Sequence, residues 1–391
     1  MMKKLVVFML LMTVGFSALT AQNANPKRIL LLIPFHSEEI GEINMPINSD
    51  QDIYAILPFA LAGFWEGAQL ALDRLEHEEA LLNIIVRDIS NDKEKLISLL
   101  SDEKMMQEVS LIIGPFYAEM FLIAAQYAKK YEIPIINPFS SRQDILIDNP
   151  YVYKLSPSDE AYCQDLYDRF GRDTNRYRII LWGNNDNLSY KQAAYQDFFK
   201  QHNIPVRNVG ISTDVCTFFA PDKENIVVVF ALSTPTVLNT IRKLNTKKME
   251  KNILVIPEEW LELKEIMPDY FNTLNVHFYS NHFIDYQNEK TQLFISDYIE
   301  RFNSIPTLAR FSFQGYDIIN YFIRGLCLNQ DAVTIALLAS RFDFMQHAGG
   351  GYENSAVRFC EIRNFSIVEV EKLSTTILEN EQRNKLKTGN H

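Results

Sequence analysis

The residues of this 391-residue chain that can recognise a small molecule gather at turn positions rather than in any catalytic signature. Phe116, Tyr117, Phe139, Tyr190 and Trp260 fall at predicted strand ends or just beyond them. There an aromatic lining can close over an apolar or ring-bearing ligand, with burial and stacking supplying affinity; the same rings can equally fill a core. Ser140, Ser141, Asn185 and Ser189 offer hydrogen bonds to a ligand, or caps for the helices that follow. Glu259, beside Trp260, can meet a cationic group or remain a solvated loop acid. Reaction chemistry has little support: no GxSxG, HExxH or GxGxxG occurs, and the seven histidines, His277 and His282 among them, show no ligand spacing with acids. Asp88 and Asp92 follow a predicted strand and could hold a metal, although a solvated helix start accounts for both. Residues 347–353, HAGGGYE, carry three consecutive glycines but lack the Lys and Ser or Thr of a phosphate loop. With only 14 glycines in the chain, that concentration marks backbone freedom before the final hairpin. These residue types predict a binding protein with no catalytic residues, no metal and no cofactor.

The elements that must position these groups alternate between strand and helix. Segment 109–141, VSLIIGPFYAEMFLIAAQYAKKYEIPIINPFSS, reads as a complete βαβ unit. A short apolar run at 109–113 is broken by Gly114 and Pro115. Met120, Ala124, Tyr127 and Tyr131 then share one helical face, and 133–136 is again apolar and β-branched, as a parallel strand covered on both faces requires. In an open parallel sheet the strand ends at Phe116, Tyr117, Phe139, Ser140 and Ser141 border the crevice where ligands bind. Upstream, strands are predicted at 28–35 and 83–87, and helices from Ala62, with Trp65, Ala68, Leu72 and Leu75 on one side, and around 96–100. The polar segment 36–52 is long for an α/β connection, which points to function. A second series follows Pro150: strands at 178–182, 206–211, 225–232 and 252–256, and helices at 193–202 and 235–244. An added strand at 274–280, helices at 291–303 and 315–328, and a hairpin of 356–364 and 365–373 joined at Asn364 complete it.

Bulk properties restrict the class. Lys3 and Lys4, an apolar run over 5–16 and small residues up to Ala21 predict a secretory signal peptide, 1–21, cleaved after Ala21. The apolar run is shorter than the roughly 20 residues a bilayer needs, and no cysteine sits at the cleavage point for lipid attachment. The expected product is exported, soluble and periplasmic, with no membrane insertion after leader removal. Loss of the two lysines takes the net charge from −11 to −13, which repels phosphate backbones and excludes nucleic acid as a partner. Cys163, Cys216, Cys327 and Cys360 show no CxxC spacing; an oxidising compartment permits disulfides, while free buried thiols fit equally.

In this order and spacing the chain resembles the type I periplasmic binding proteins, the branched-chain amino-acid receptor-like substrate-binding proteins of ABC importers. The residues that carry the resemblance are FWEGAQLALDRL, LIIGPFYAEM, AKKYEIPIINPFSS, YVYKLSPSD and FQGYDIINYFIRGL, across 27–373. GPFY, AKKYEIP and HAGGGYEN are similar to exported variants common in Bacteroidetes. The resemblance implies an α/β fold of two Rossmann-like, doubly wound lobes joined by three crossing strands and closing on a small ligand by a hinge. Lobe one would be 27–153 plus 283–340 and lobe two 154–282 plus 341–375, with a flexible tail at 376–391. It also implies a carboxylate clamp of a Ser or Thr and backbone amides after the Gly-Pro turn, and an acid with tyrosines from lobe two around an ammonium. Here Phe116 and Tyr117 follow Gly114 and Pro115, so aromatics replace the hydroxyl-rich turn. Ser140 and Ser141 remain at the next strand end, and Glu258 or Glu259 stands in the place of the lobe-two acid. The expected function is capture of an amino-acid-like or aromatic-bearing solute in an interlobe cleft, for a membrane permease or other envelope protein. The alternative is a ligand-free module of the same fold acting in protein interaction or cell-wall regulation.

Overall fold

The computed structural model describes residues 26–42, 59–78, 80–183, 189–230, 234–245, 252–266, 268–307, 311–348 and 350–372. The expected signal peptide, the expected tail and Asn185 lie outside the described residues. In chain order, the first stretch comprises β1 (Lys27–Ile33), α1 (Ala62–His77), β2 (Leu82–Asp88), α2 (Lys93–Leu100), β3 (Val109–Ile113), α3 (Ala118–Tyr131), β4 (Ile135–Asn137) and β5 (Val152–Lys154). Then follow α4 (Asp159–Leu166), β6 (Tyr177–Gly183), α5 (Tyr190–Gln201), β7 (Val206–Gly210), β8 (Glu224–Val229), α6 (Thr234–Asn245), β9 (Ile253–Ile256) and β10 (Val276–Ser280). The last stretch holds α7 (Glu289–Phe302), α8 (Ser312–Phe322), β11 (Phe344–Gln346), β12 (Tyr352–Asn354), β13 (Arg358–Arg363) and β14 (Ser366–Glu369). Tertiary contacts divide the chain into two compact units: Met1–Leu155, Ile284–Ser340 and Met345–Glu353, and Ser156–Phe283, Arg341–Phe344 and Asn354–His391.

The first unit is built on a seven-stranded sheet in the order β11-β12-β5-β4-β3-β1-β2, in which β1 pairs in parallel with both β2 and β3. Ile29, Leu30, Leu31, Leu32 and Ile33 are all fully buried, the condition of a parallel strand covered by helices on both faces. On α3 the expected face is present: Met120 and Ala124 are buried, and Tyr127 and Tyr131 pack at the margin of the same core. The buried face of α1 is rotated from the expected one. Phe64, Gly67, Ala68, Ala71 and Leu75 point inward, whereas Trp65 and Leu72 are half-exposed. The cause is close packing against α8, since a Cβ on Gly67 would lie 1.8 Å from the Ser312 carbonyl oxygen and one on Gly315 would lie 2.0 Å from that of Phe64. Between β5 and β12, the fully buried Lys154 ammonium meets the Glu353 carboxylate at 2.9 Å.

The second unit carries a sheet in the order β14-β13-β10-β9-β8-β6-β7, parallel from β7 to β10 and antiparallel over β13 and β14. Alternate residues feed two cores. Ile180, Trp182, Val227 and Val229 enter one, and Ile179, Leu181, Ile226 and Val228 the other, as the two-residue period of a strand dictates. The closing hairpin turns at Asn364 and Phe365, both with positive φ (50° and 62°), the twist that a two-residue turn between antiparallel strands demands. All four cysteines are free thiols, and Cys163, Cys327 and Cys360 are buried. Burial pushes the Cys360 thiol up to about 12 and the Cys327 thiol up to about 11, so the pair behave as small core side chains.

Candidate functional site

In the first unit the strand order reverses between β1 and β3, so the loops leaving their carboxyl ends diverge, the position at which open parallel sheets bind ligands. Three loops meet at this edge: after β1 at Pro34, after β3 at Gly114 and after β4 at Pro138. Gly114 is required, because its φ is +89° and a Cβ would lie 2.3 Å from the Leu32 carbonyl oxygen. Asn137 ties two of the loops together. Its Oδ1 accepts from the amides of Phe139 at 3.2 Å and Ser140 at 2.6 Å, while its Nδ2 donates to the Pro115 carbonyl at 3.4 Å.

Phe116, Tyr117, Phe139, Ser140 and Ser141 are thus brought to one edge of one sheet, as the βαβ reading expects. Their roles differ. Phe116 is 5% exposed and forms a floor with neighbouring rings, its centroid 4.9 Å from Phe64 and 5.1 Å from Phe139. Phe139 is half-buried and adds Phe311 at 4.6 Å. Such tilted and edge-on contacts are the favourable geometry for aromatic pairs. Tyr117 stands above at 39% exposure, with its hydroxyl 3.2 Å from His36 Nε2, and His36 Nδ1 lies 3.1 Å from Glu39 Oε1. Partial burial, reinforced by the Glu39 charge, raises the Tyr117 hydroxyl pKa above its ordinary value. The hydroxyl of Ser140 accepts from the Arg142 amide at 3.2 Å, and Ser141 is exposed. Beside them, Asp88 pins the loop after β1. Its Oδ1 accepts from the amides of Phe35 (3.0 Å) and Ser90 (2.9 Å), and its Oδ2 from the amide (2.8 Å) and hydroxyl (2.6 Å) of Ser37. Asp92 instead caps α2 through the amides of Glu94 and Lys95. Neither acid is left to hold a metal, and among the described residues no group of three His, Cys, Asp or Glu is arranged to do so.

In the second unit the sequence-derived residues separate. Helix α5 begins at Tyr190, earlier than its apolar period indicates, so Ser189 is its N-cap and accepts from the Gln192 amide at 3.2 Å. Tyr190 is 85% exposed. Glu259 is exposed on the turn after β9, but Trp260 is 1% exposed and belongs to the core with Trp182, Phe271 and Phe278. Trp260 therefore presents no ring to a ligand in this structure. Its neighbour Glu258 accepts from the Ser280 hydroxyl at 2.6 Å. Close by, Tyr162 donates to Asn281 Oδ1 at 2.6 Å, and the Lys191 ammonium lies 5.2 Å from the Tyr162 ring centroid. Burial raises the Tyr162 hydroxyl pKa, and the charges of Glu258, Asp159 and Glu259 add to the shift. His282 is held neutral by burial, its pKa lowered to about 4.

Residues that sequence reasoning missed are His36, Phe64, Asn137 and Phe311 in the first unit, and Tyr162, Lys191 and Asn281 in the second. His36 stands in the long polar loop already singled out for function, and Asn137 immediately follows the apolar run of β4, so both had a local signal. Phe311 had none, because its place depends on a turn with φ of 59° ahead of α8.

No family profile and no curated relative matches the chain. Solved structures do. One is an ABC transporter substrate-binding protein of Desulfitobacterium hafniense in complex with Leu, at 14% identity, covering 88% of this chain and 100% of that one with a TM-score of 0.54. A second is a putative branched-chain amino acid ABC transporter protein of Rhodospirillum rubrum, at 14% identity and the same coverage, with a TM-score of 0.58. A third is Haemophilus influenzae LpoA, at 14% identity and a TM-score of 0.56, over 90% of this chain and 59% of LpoA. The two α/β units of this chain together have the type I periplasmic binding-protein fold.

Proposed function

We propose that this protein is an exported solute-binding protein that captures a small amino-acid-like or ring-bearing molecule and presents it to a membrane permease or another envelope partner. It works by binding, without catalysis. The observation that carries the reading is the strand-end crevice of the first unit, where the Tyr117 hydroxyl and the Ser140 loop stand over a floor of Phe116, Phe139, Phe64 and Phe311. Apolar burial with a few oriented polar groups is the usual composition of a small-ligand site. Fold likeness to a protein solved with Leu supports the ligand class. Calorimetry against the proteinogenic amino acids and a panel of aromatic carboxylates tests this. A ligand should be found whose affinity falls about tenfold in Tyr117→Phe, the cost of one hydrogen bond to a charged group.

A second reading, a ligand-free interaction module, is favoured by the burial of Phe116 beneath Phe64 and Phe139, since the protein's own rings occupy part of the floor. If no small molecule binds and an envelope protein copurifies at equal stoichiometry, this reading replaces the first.

A further inference from the structure

At the amino-terminal edge of the second unit's sheet a cavity of about 250 Å³ opens among the starts of β6, β7 and β8. β6 has seven residues, so this edge lies about 20 Å along the strand from the carboxyl end at Gly183, where ligands of such sheets are expected. The cavity belongs to no site described above. Its lining contains three cations, Arg178, Arg207 and Lys223, and no carboxylate. In a chain of net charge −11 that is a local inversion of sign, and a low-dielectric wall concentrates the field of such a cluster.

Among the described residues none of the three cations is paired with a carboxylate. Among the described residues no ion pair or side-chain hydrogen bond uses Arg178, which is half-buried. Arg207 shares the sheet face of Ile180, its register partner, and its guanidinium rests 5.1 Å from the Phe218 ring centroid without a carboxylate. Lys223 donates to the Thr174 carbonyl at 2.8 Å, which anchors its ammonium to a residue of the lining. Two acids next to lining residues in sequence are engaged by Arg176: Glu224 accepts from its Nε at 3.1 Å, and Asp173 accepts its amide at 3.1 Å. Phe170, Tyr177 and Ile204 belong to the core on the other face of the sheet and complete the lining with apolar surface at its amino-terminal end, where both faces are within reach. A partly desolvated guanidinium without a counter-charge is unfavourable, and an anion with an apolar body would satisfy both halves of this lining.

We propose that this cavity is a second binding site, for a small organic carboxylate carrying an aromatic or aliphatic body of about ten non-hydrogen atoms, the size that a cavity below the drug-sized range admits. The carboxylate meets Arg178 with support from Lys223, and the body lies against Phe170, Tyr177 and Ile204.

The probe is 3-phenylpropionate, with 3-phenylpropionamide as its neutral counterpart, titrated into the full-length protein by calorimetry and by ligand-observed NMR. Binding is expected for the acid and lost for the amide. Arg178→Gln and, separately, Lys223→Gln should each weaken it about tenfold, as loss of one charge-assisted hydrogen bond does. Tyr117→Phe should leave it unchanged. Lys223→Gln, at a partly exposed position, keeps the test informative if Arg178→Gln does not fold. Absence of binding at 10 mM probe (about tenfold above a millimolar Kd), equal binding of the amide, or indifference to both substitutions overturns the proposal. Binding lost in Tyr117→Phe but kept in Arg178→Gln also overturns it, and places the acid at the first unit's crevice, so the two sites fail separately.

Discussion

Asp88 illustrates how a single side chain couples the sequence to the shape of the site. Burial alone would raise its pKa, but the hydroxyl and amide of Ser37 with the amides of Ser90 and Phe35 outweigh it and hold the carboxyl at about 2. A folded pKa below the unfolded one contributes stability that is present above pH ~4 and lost as pH falls through about 2. The shift from 3.8 corresponds to about 2.5 kcal/mol at full strength, reduced to about 1 kcal/mol by solvent screening at a partly exposed position. Asp88→Asn should therefore be about 1 kcal/mol less stable than the parent at pH 7, with the gap closing toward pH 2; a gap of constant size between pH 7 and 2 would contradict the assignment. Trp260 teaches the converse. Its position after a strand marked it as a candidate ligand ring, yet it lies buried in one core with Ile256, Phe271 and Phe278. Whether a ring at a strand end faces solvent depends on residues that sequence spacing does not bring into view. Tyr117 and Phe116 show this at closest quarters: adjacent in sequence, one reaches the surface and the other becomes floor.

Among the elements, the strands built from continuous apolar runs were legible in place because such runs pair stably only when covered on both faces, whereas the three-residue β11 and β12, FMQ and YEN at one end of the first sheet, carry no such run and were not read as strands. The helices were legible in position, and in rotation for α3 but not for α1. For α1 the expected face held Trp65 and Leu72, and the face found holds Phe64, Gly67 and Ala71. A rank of hydrophobicity favours Trp and Leu, whereas close approach to α8 selects glycine. The obstruction to any larger residue is backbone, which cannot step aside. Gly67→Ala should thus cost about 3 kcal/mol, the upper part of the range for overpacked interiors. Urea denaturation checks this through a lowered midpoint with an unchanged slope. A midpoint equal to that of the parent would mean that the two helices do not lie this close. The early start of α5 has a similar origin: the Ser189 hydroxyl satisfies the Gln192 amide, and a cap of this kind extends a helix beyond its apolar period.

For the molecule as a whole, the proposed function requires that ligand binding be felt by both units. A ligand that binds only the folded protein, at about 100 times its Kd, stabilises it by about 2.7 kcal/mol. If that ligand also draws the units together, small-angle scattering should show a smaller radius of gyration at saturation. Binding with no compaction would remove hinge closure from the mechanism while leaving capture intact. The amino-acid sequence by itself determined the kind and order of most elements, the net negative charge, and the placing of the loops around Tyr117 and Ser140 at one edge of one sheet. These follow from local periodicity, turn chemistry and net charge. Only the tertiary structure decided which rings reach the crevice, which serine is spent as a cap, and that Arg178, Arg207 and Lys223 share one cavity. Each of these depends on segments distant along the chain arriving side by side, and nothing in the spacing of one segment encodes the partner it will meet.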